Sequence, residues 1–217
     1  VVRRVNRFKV EVLLDGVVPA YLPNSGRMRE LIYPGALGYV SEASRTKGKT
    51  RYDLLLVRHR GLLVSVDSRL PNILVSHALR QHCLPELGQA TILKQEARWG
   101  ESRFDFALHW GRQQGLLEVK SVTKVVNGVG RFPDAVTARG DRHLRQLMEA
   151  VHLGIRAIVI FVVQRPDAEA FGPDWEADPT FSATLTEAAA AGVEIYARKC
   201  QVSLHQVQLD APIPLAM

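Results

Sequence analysis

The sequence predicts a mixed α/β protein: a small N-terminal β-barrel, then a mixed sheet flanked by helices. Three observations predict it. Residues 5–67 fall into short alternating stretches separated by Gly, Pro and Asn turns. In residues 141–153, Leu144, Leu147, Met148 and Val151 keep the i, i+3, i+4, i+7 spacing of one helix face. Ala157–Val163 is apolar throughout, as a strand buried on both faces requires.

Taken in order, strands at 5–14 and 17–22 flank the tight-turn pair Asp15-Gly16. Pro23, Asn24, Ser25 and Gly26 then predict a loop, and Arg27–Leu31 a short helical turn. Strands follow near Leu37–Ser41, Tyr52–Arg58 and Leu62–Asp67. Between the first two lie Arg45, Lys47, Lys49 and Arg51, four cations in seven residues. A basic loop beside a curved sheet is how an OB-like barrel tracks a nucleic-acid backbone, so an OB-like barrel is expected. A solvated hairpin tip would carry the same charges.

Pro71-Asn72 opens a helix running to about Cys83, with Ile73, Leu74, Ala78 and Leu79 on its apolar side. The change of pattern near Arg69 divides the chain into expected domains 1–68 and 69–217. The second continues with strands at 90–98, 103–110 and 115–123, the helix at 141–153, the strand at 156–163, a helix at about 180–191 and a strand at 193–198. Asp141 is the expected helix cap and Gly154 its stop. Residues 128–140 lack periodicity and predict a loop that can cover the end of the third strand. Ala211–Pro214 predicts an extended tail. Trp99, Trp110 and Trp175 are expected to pack in the core or in turns rather than stack on bases.

Charged residues at 23% and hydrophobic ones at 47% argue against disorder. The net charge of +6 is unevenly spread. Residues 1–66 carry 12 Lys and Arg against 5 Asp and Glu, whereas residues 67–217 carry 16 against 17. The basic excess lies wholly in the first third, which points to a polyanionic partner, DNA first with RNA also open. The longest apolar run is too short to span a bilayer. Val1-Val2-Arg3-Arg4 shows no secretory leader, and Cys83 and Cys200 form neither a disulfide framework nor a CxxC zinc pattern. A cytoplasmic protein without a membrane partner, monomeric or homodimeric, is therefore expected.

The chemistry concentrates in one hairpin. Arg103–Leu108 alternates so that Phe104, Phe106 and Leu108 share a face and Asp105 takes the other. After the Gly111–Gly115 loop, Leu117 and Val119 share a face, with Glu118 and Lys120 opposite. If facing residues have numbers summing to an odd value, Asp105 joins Glu118 and Lys120. Two carboxylates can hold Mg²⁺ or Mn²⁺, hard cations that prefer oxygen, and the ammonium can orient a water or a phosphate oxygen. Glu96 on the preceding strand is a candidate third ligand or base. A surface ion cluster of little energetic weight is the plain alternative.

The order helix–strand–strand–strand–helix–strand, with Asp105 on the second strand and Glu118-x-Lys120 on the third, resembles the PD-(D/E)XK nuclease-like core. Further motifs narrow the resemblance: Arg7-Phe8, Pro23–Met28, Leu117–Thr123, Phe132–Gly140, His143-Leu144 and Phe161–Ala168 are similar to the sugar fermentation stimulation protein (SfsA) family. That resemblance implies an OB-like barrel, a restriction-endonuclease-like second domain and DNA binding, with a regulatory role in sugar metabolism. It implies catalytic Asp105, Glu118 and Lys120, and phosphate contacts from Arg139 and His143. Asn24 and Arg27, in the Pro-Asn loop, are candidate ligand residues because a helix start with an adjacent Arg is a ready anion site, with a purely structural capping role for Asn24 equally open. His77 stands on the first helix of the second domain where relatives commonly carry an acid, and Tyr21-Leu22 where they often carry His or Cys. The first departure favours a binding protein that uses the fold without cleavage.

Overall fold

Six strands build the N-terminal part: β1 (Arg3–Asn6), β2 (Lys9–Leu13), β3 (Val17–Tyr21), β4 (Leu37–Glu42), β5 (Tyr52–His59) and β6 (Leu62–Ser65). The computed structural model describes residues 1–43 and 50–217, so Arg45, Lys47 and Lys49 lie outside the described residues. The order is β1-β2-β3-β5-β4, and β6 also pairs with β5. β5 meets β3 at Tyr52 and Asp53 and β6 at Leu56–His59, with β4 along its other edge. Its apolar centre gathers Val10, Val12, Leu22, Met28, Leu31, Leu54, Val57 and Val64.

The single strand expected at 5–14 is two strands. Asn6 Oδ1 accepts the Phe8 N–H (2.9 Å), an Asx turn that reverses the chain at Arg7–Phe8. Among the described residues, 27–31 form turns, not a helix, with the Leu31 and Ile32 N–H groups donating to Met28 O.

The second part holds α1 (Leu70–Arg80), β7 (Thr91–Trp99), β8 (Ser102–Trp110), β9 (Gln113–Val122), β10 (Lys124–Val126), β11 (Val129–Phe132), α2 (Ala138–His152), β12 (Arg156–Val163), β13 (Ala170–Pro173), α3 (Pro179–Ala190), β14 (Glu194–Val202) and β15 (Val207–Pro212). The main sheet runs β15-β14-β12-β9-β8-β7, with β12 parallel to β9 and β14. On β12, Ala157, Val159, Phe161 and Val163 meet Leu144 and Leu147 of α2 and Phe181 and Leu185 of α3. Ile158, Ile160 and Val162 point the other way, to Val75 and Leu79 of α1. The strand is apolar throughout because both faces are covered.

Four expectations need correction. The stretch expected as a loop at 128–140 holds β11, the second arm of a hairpin with β10 turned at Asn127 (φ 50°) and Gly128 (φ 77°), and the first residues of α2, and β11 joins β13 in a small third sheet. An Asn-Gly pair suits a two-residue turn because both positions need positive φ. Thr137 caps α2 by accepting the Gly140 N–H (3.1 Å), while Asp141 binds Arg145 and Thr184 instead. Ile73 is 61% exposed, and Val75 takes the buried place on α1. The tail belongs in part to β15, antiparallel to β14. Among the described residues no helix is long and apolar enough to cross a membrane.

Candidate functional site

β8 and β9 turn at Gly111–Arg112 and pair from Trp110↔Gln113 to Phe106↔Leu117, an odd-sum register. Gly115 therefore lies in the strand, not in a loop. A Cβ there would sit 2.7 Å from the Trp110 ring and 2.8 Å from the Arg156 carbonyl, so only glycine lets them close in.

The ladder stops at Phe106↔Leu117 although both strands continue, and this opens a fork. On the other side of β8, pairing passes from Gln95↔Phe106 to Ala97↔Phe104, with Glu96 between them at φ 51°. That left-handed conformation is costly for a non-glycine residue and marks a local distortion. Alternation breaks with it: Phe104 packs with the α2 side and Phe106 with the α1 side, where one shared face was expected.

Asp105 fills the fork. Its Oδ2 accepts the Val119 N–H (2.7 Å), taking the place of a ladder carbonyl, and its Oδ1 accepts from Asn72 Nδ2 on α1 (2.6 Å). Glu118 is tied to the opposite helix layer. Its Oε1 accepts from Lys120 Nζ (2.5 Å) and lies 2.7 Å from His143 Nδ1 on α2. Glu118 Oε2 is buried with no hydrogen-bond partner among the described residues. The two carboxylates thus reach the fork from its two sides instead of standing on one flat face.

Their electrostatics differ. Burial, then the charge of Glu118, pushes the Asp105 carboxyl up to about 6, against the Val119 N–H, Lys120 and Asn72. Burial also opposes ionisation of Glu118, but the charge of Lys120 and the hydrogen bond from His143 prevail and hold it below the usual range. The pair is therefore split: Glu118 gives up its proton more readily than an ordinary carboxyl, and Asp105 less readily.

His143, expected at a phosphate, is 2% exposed and packs on the Phe104 ring. Arg139 Nε donates to its Nε2 (3.3 Å), so the hydrogen-bond pattern puts the ring proton on Nδ1, facing Glu118. Its Nδ1 is committed to Glu118. Glu96 is not gathered in either: its side chain is 63% exposed and pairs with Arg103 at 3.6 Å. Among the described residues, no group of three or more His, Cys, Asp or Glu is arranged to hold a metal.

The cationic residues divide between cavities. One of about 630 Å³ lies between the two parts of the chain, lined among others by Arg7, Asn24, Ser121, Arg131 and Arg139. A neighbour of about 430 Å³ is lined by Arg4, Arg7, Arg27 and Arg29. Asp105 lines a third of about 320 Å³ with Asn72, His77, Gln95 and Glu96. Asn24, in the lining of the first cavity, accepts the Gly26 N–H on its Oδ1 (2.8 Å). Gly26 is needed because a Cβ would lie 2.5 Å from Asp134 Oδ2, which also accepts the Met28 N–H (3.1 Å) and so docks this loop onto the second part. Arg51 pairs with Glu42 at the end of β4 (2.6 Å).

Sequence reasoning missed Asn72, which the helix pattern disclosed only as an opening residue. It also missed Gln164, fully buried, whose Oε1 accepts from Ser65 Oγ (3.0 Å) and whose Nε2 donates to Ser121 Oγ (2.9 Å). The signal for Gln164 was its place as the first polar residue after a fully apolar strand.

Comparison with known proteins agrees with this architecture. Residues 2–66 match the family model described as the SfsA N-terminal OB domain, and residues 69–206 the one described as the sugar fermentation stimulation protein RE domain. A sugar fermentation stimulation protein homolog of Desulforamulus reducens is 45% identical over 217 residues, covering 100% of this chain and 90% of that relative. One of Moorella thermoacetica is 46% identical over 213 residues, covering 97% and 92%. The solved structure of Pyrococcus furiosus SfsA, in complex with Ca²⁺, superposes with a TM-score of 0.93 at 32% identity, covering 100% of this chain and 94% of that one.

Proposed function

The chain belongs to the sugar fermentation stimulation protein (SfsA) family, and from that premise we propose that it binds DNA and carries a divalent-metal-dependent phosphodiesterase site at the β8–β9 fork. The observation that carries the reading is the pair of a half-buried Asp105 and a buried Glu118, with Glu118 Oε2 left without a partner among the described residues. A buried acceptor with nothing to accept is costly unless a ligand completes it.

The donor set fits Mg²⁺ or Mn²⁺, since both available groups are carboxylate oxygens. The Ca²⁺ in the Pyrococcus furiosus relative is likewise a hard, oxygen-seeking cation, which supports the same class here. When bound, such a cation neutralises phosphate charge and lowers the pKa of water. Asp105 and Glu118 would hold it. Lys120, 2.5 Å from Glu118, would be placed to bind a phosphoryl oxygen or to orient a water there. His143 keeps Glu118 in place. Arg139 and Arg131 line the adjoining cavity as phosphate contacts.

The test is a cleavage assay with Mg²⁺ and Mn²⁺ on single-stranded and duplex DNA and on RNA. Wild type is expected to cut, and Asp105→Asn to bind without cutting. A wild type that binds DNA and cuts nothing supports the second reading, a non-catalytic DNA-binding regulator. One observation favours it: α1 offers His77, not a carboxylate, to the cavity lined by Asp105.

A further inference from the structure

The tip of the first hairpin presents two side chains that the fold does not use. Its backbone is held firmly: Asn6 Oδ1 takes the Phe8 N–H, the Leu22 N–H donates to Phe8 O (2.9 Å), and Arg4 Nη2 donates to Arg7 O (2.9 Å). The side chains are not. Phe8 is 43% exposed, and its one ring partner among the described residues is Tyr21, stacked at 6.3 Å and 26°. The Arg7 guanidinium makes no hydrogen bond or ion pair among the described residues, although the basic chains Arg3, Arg51 and Arg69 are all paired. Both side chains line the 630 Å³ cavity, together with Ser121, Arg131 and Arg139 of the second part.

An aromatic ring carried on a fixed backbone, open on one side and beside an unpaired guanidinium, matches an unpaired nucleotide. The ring offers a face to a base, and the guanidinium offers its fork to the adjoining phosphate. Bases within a duplex have both faces covered by their neighbours and show only their edges in the grooves. We propose that Phe8 is a stacking platform for an unpaired nucleobase and Arg7 its phosphate contact, so that the cavity between the two parts takes a single strand. This rests on the nucleic-acid reading above and specifies the form of the substrate.

The experiment measures binding of a labelled oligonucleotide, single-stranded and as the duplex of the same sequence, in EDTA over a range of salt. Wild type, Phe8→Ala, Phe8→Trp and Arg7→Ala are compared after their melting curves confirm folding. The single-strand preference of wild type is expected to fall about 5- to 150-fold in Phe8→Ala, the range of one base–aromatic stack, and to return in Phe8→Trp. The salt slope should stay unchanged in Phe8→Ala, because stacking releases no counterions, and fall by about 0.7 in Arg7→Ala. A 2-aminopurine placed in the strand should be quenched by wild type and Phe8→Trp, and less by Phe8→Ala. Equal loss of single-strand and duplex affinity in Phe8→Ala, or no loss, overturns the platform while leaving DNA binding intact. A wild type that binds neither form overturns the underlying reading itself.

Discussion

Asp105 is held where ionisation is unfavourable. Its carboxyl rises from 3.8 to about 6 in the folded chain, chiefly through burial and then through Glu118. A raised carboxyl binds its proton more tightly folded than unfolded, so its contribution is fully present below about 3.8 and is lost as pH rises through about 6. Above that, ionised Asp105 costs roughly 3 kcal/mol, because each tenfold change in proton affinity is worth about 1.4 kcal/mol. Glu118 has the opposite sign, since its lowered carboxyl stabilises above its ordinary range and the gain is lost as pH falls through the folded value. Metal-free Asp105→Asn is therefore expected to exceed wild type in stability at pH 8, by up to roughly 3 kcal/mol, and to lose that advantage near pH 4. Urea unfolding in EDTA at the two pH values checks this. A variant less stable than wild type at pH 8 would mean that the hydrogen bonds to Val119 and Asn72 outweigh the burial of charge.

At the scale of elements, α2 carries Arg139 and His143 toward β9, and its first turn is fixed by Thr137. Thr137→Ala should cost about 1 kcal/mol of stability, the usual worth of such a cap. Asp141→Ala, removing the cap expected from sequence, leaves that bond in place and should cost less. Thermal melts of the two variants separate them. α2 and β12 were legible because their patterns are long and each faces one kind of neighbour. The fork was not. Period-two alternation assumes a regular strand, and Glu96 at φ 51° breaks that regularity opposite Asp105, so Phe104 and Phe106 part company without any sign in their spacing. The Asn6 and Asn127-Gly128 turns did have signals, but each sits within a stretch whose wider pattern suggested something else. The site residues were found by type and spacing. Their division between two helix layers depends on tertiary contacts from Asn72 and His143, which lie 33 and 25 residues from their partners.

For the whole molecule, the cavity between the two parts depends on how they are docked, and Gln164 is central to that docking. Its backbone accepts the Ser65 N–H (3.0 Å) and donates to Val122 O (2.8 Å), while its amide spans Ser65 and Ser121. One buried side chain thus links the end of β6 to the end of β9, three residues past Glu118. Asp134 adds a second link, its Oδ2 accepting the Met28 N–H (3.1 Å). Gln164→Ala leaves two serine hydroxyls short of a buried partner, worth about 1–3 kcal/mol each where water cannot replace it. Because that loss falls on the interface and not on either apolar centre, each part should keep its own fold while the coupling between them weakens. Calorimetry should then show one transition in wild type and two in Gln164→Ala. The cations on the two banks, Arg7 with Arg131 and Arg139, would no longer be held to one spacing, so the DNA salt slope should shrink by the phosphates lost, about 0.7–0.9 for each. A single transition with an unchanged slope would show that the loop held by Asp134 carries the docking instead, and Asp134→Ala would then be the variant that separates the parts.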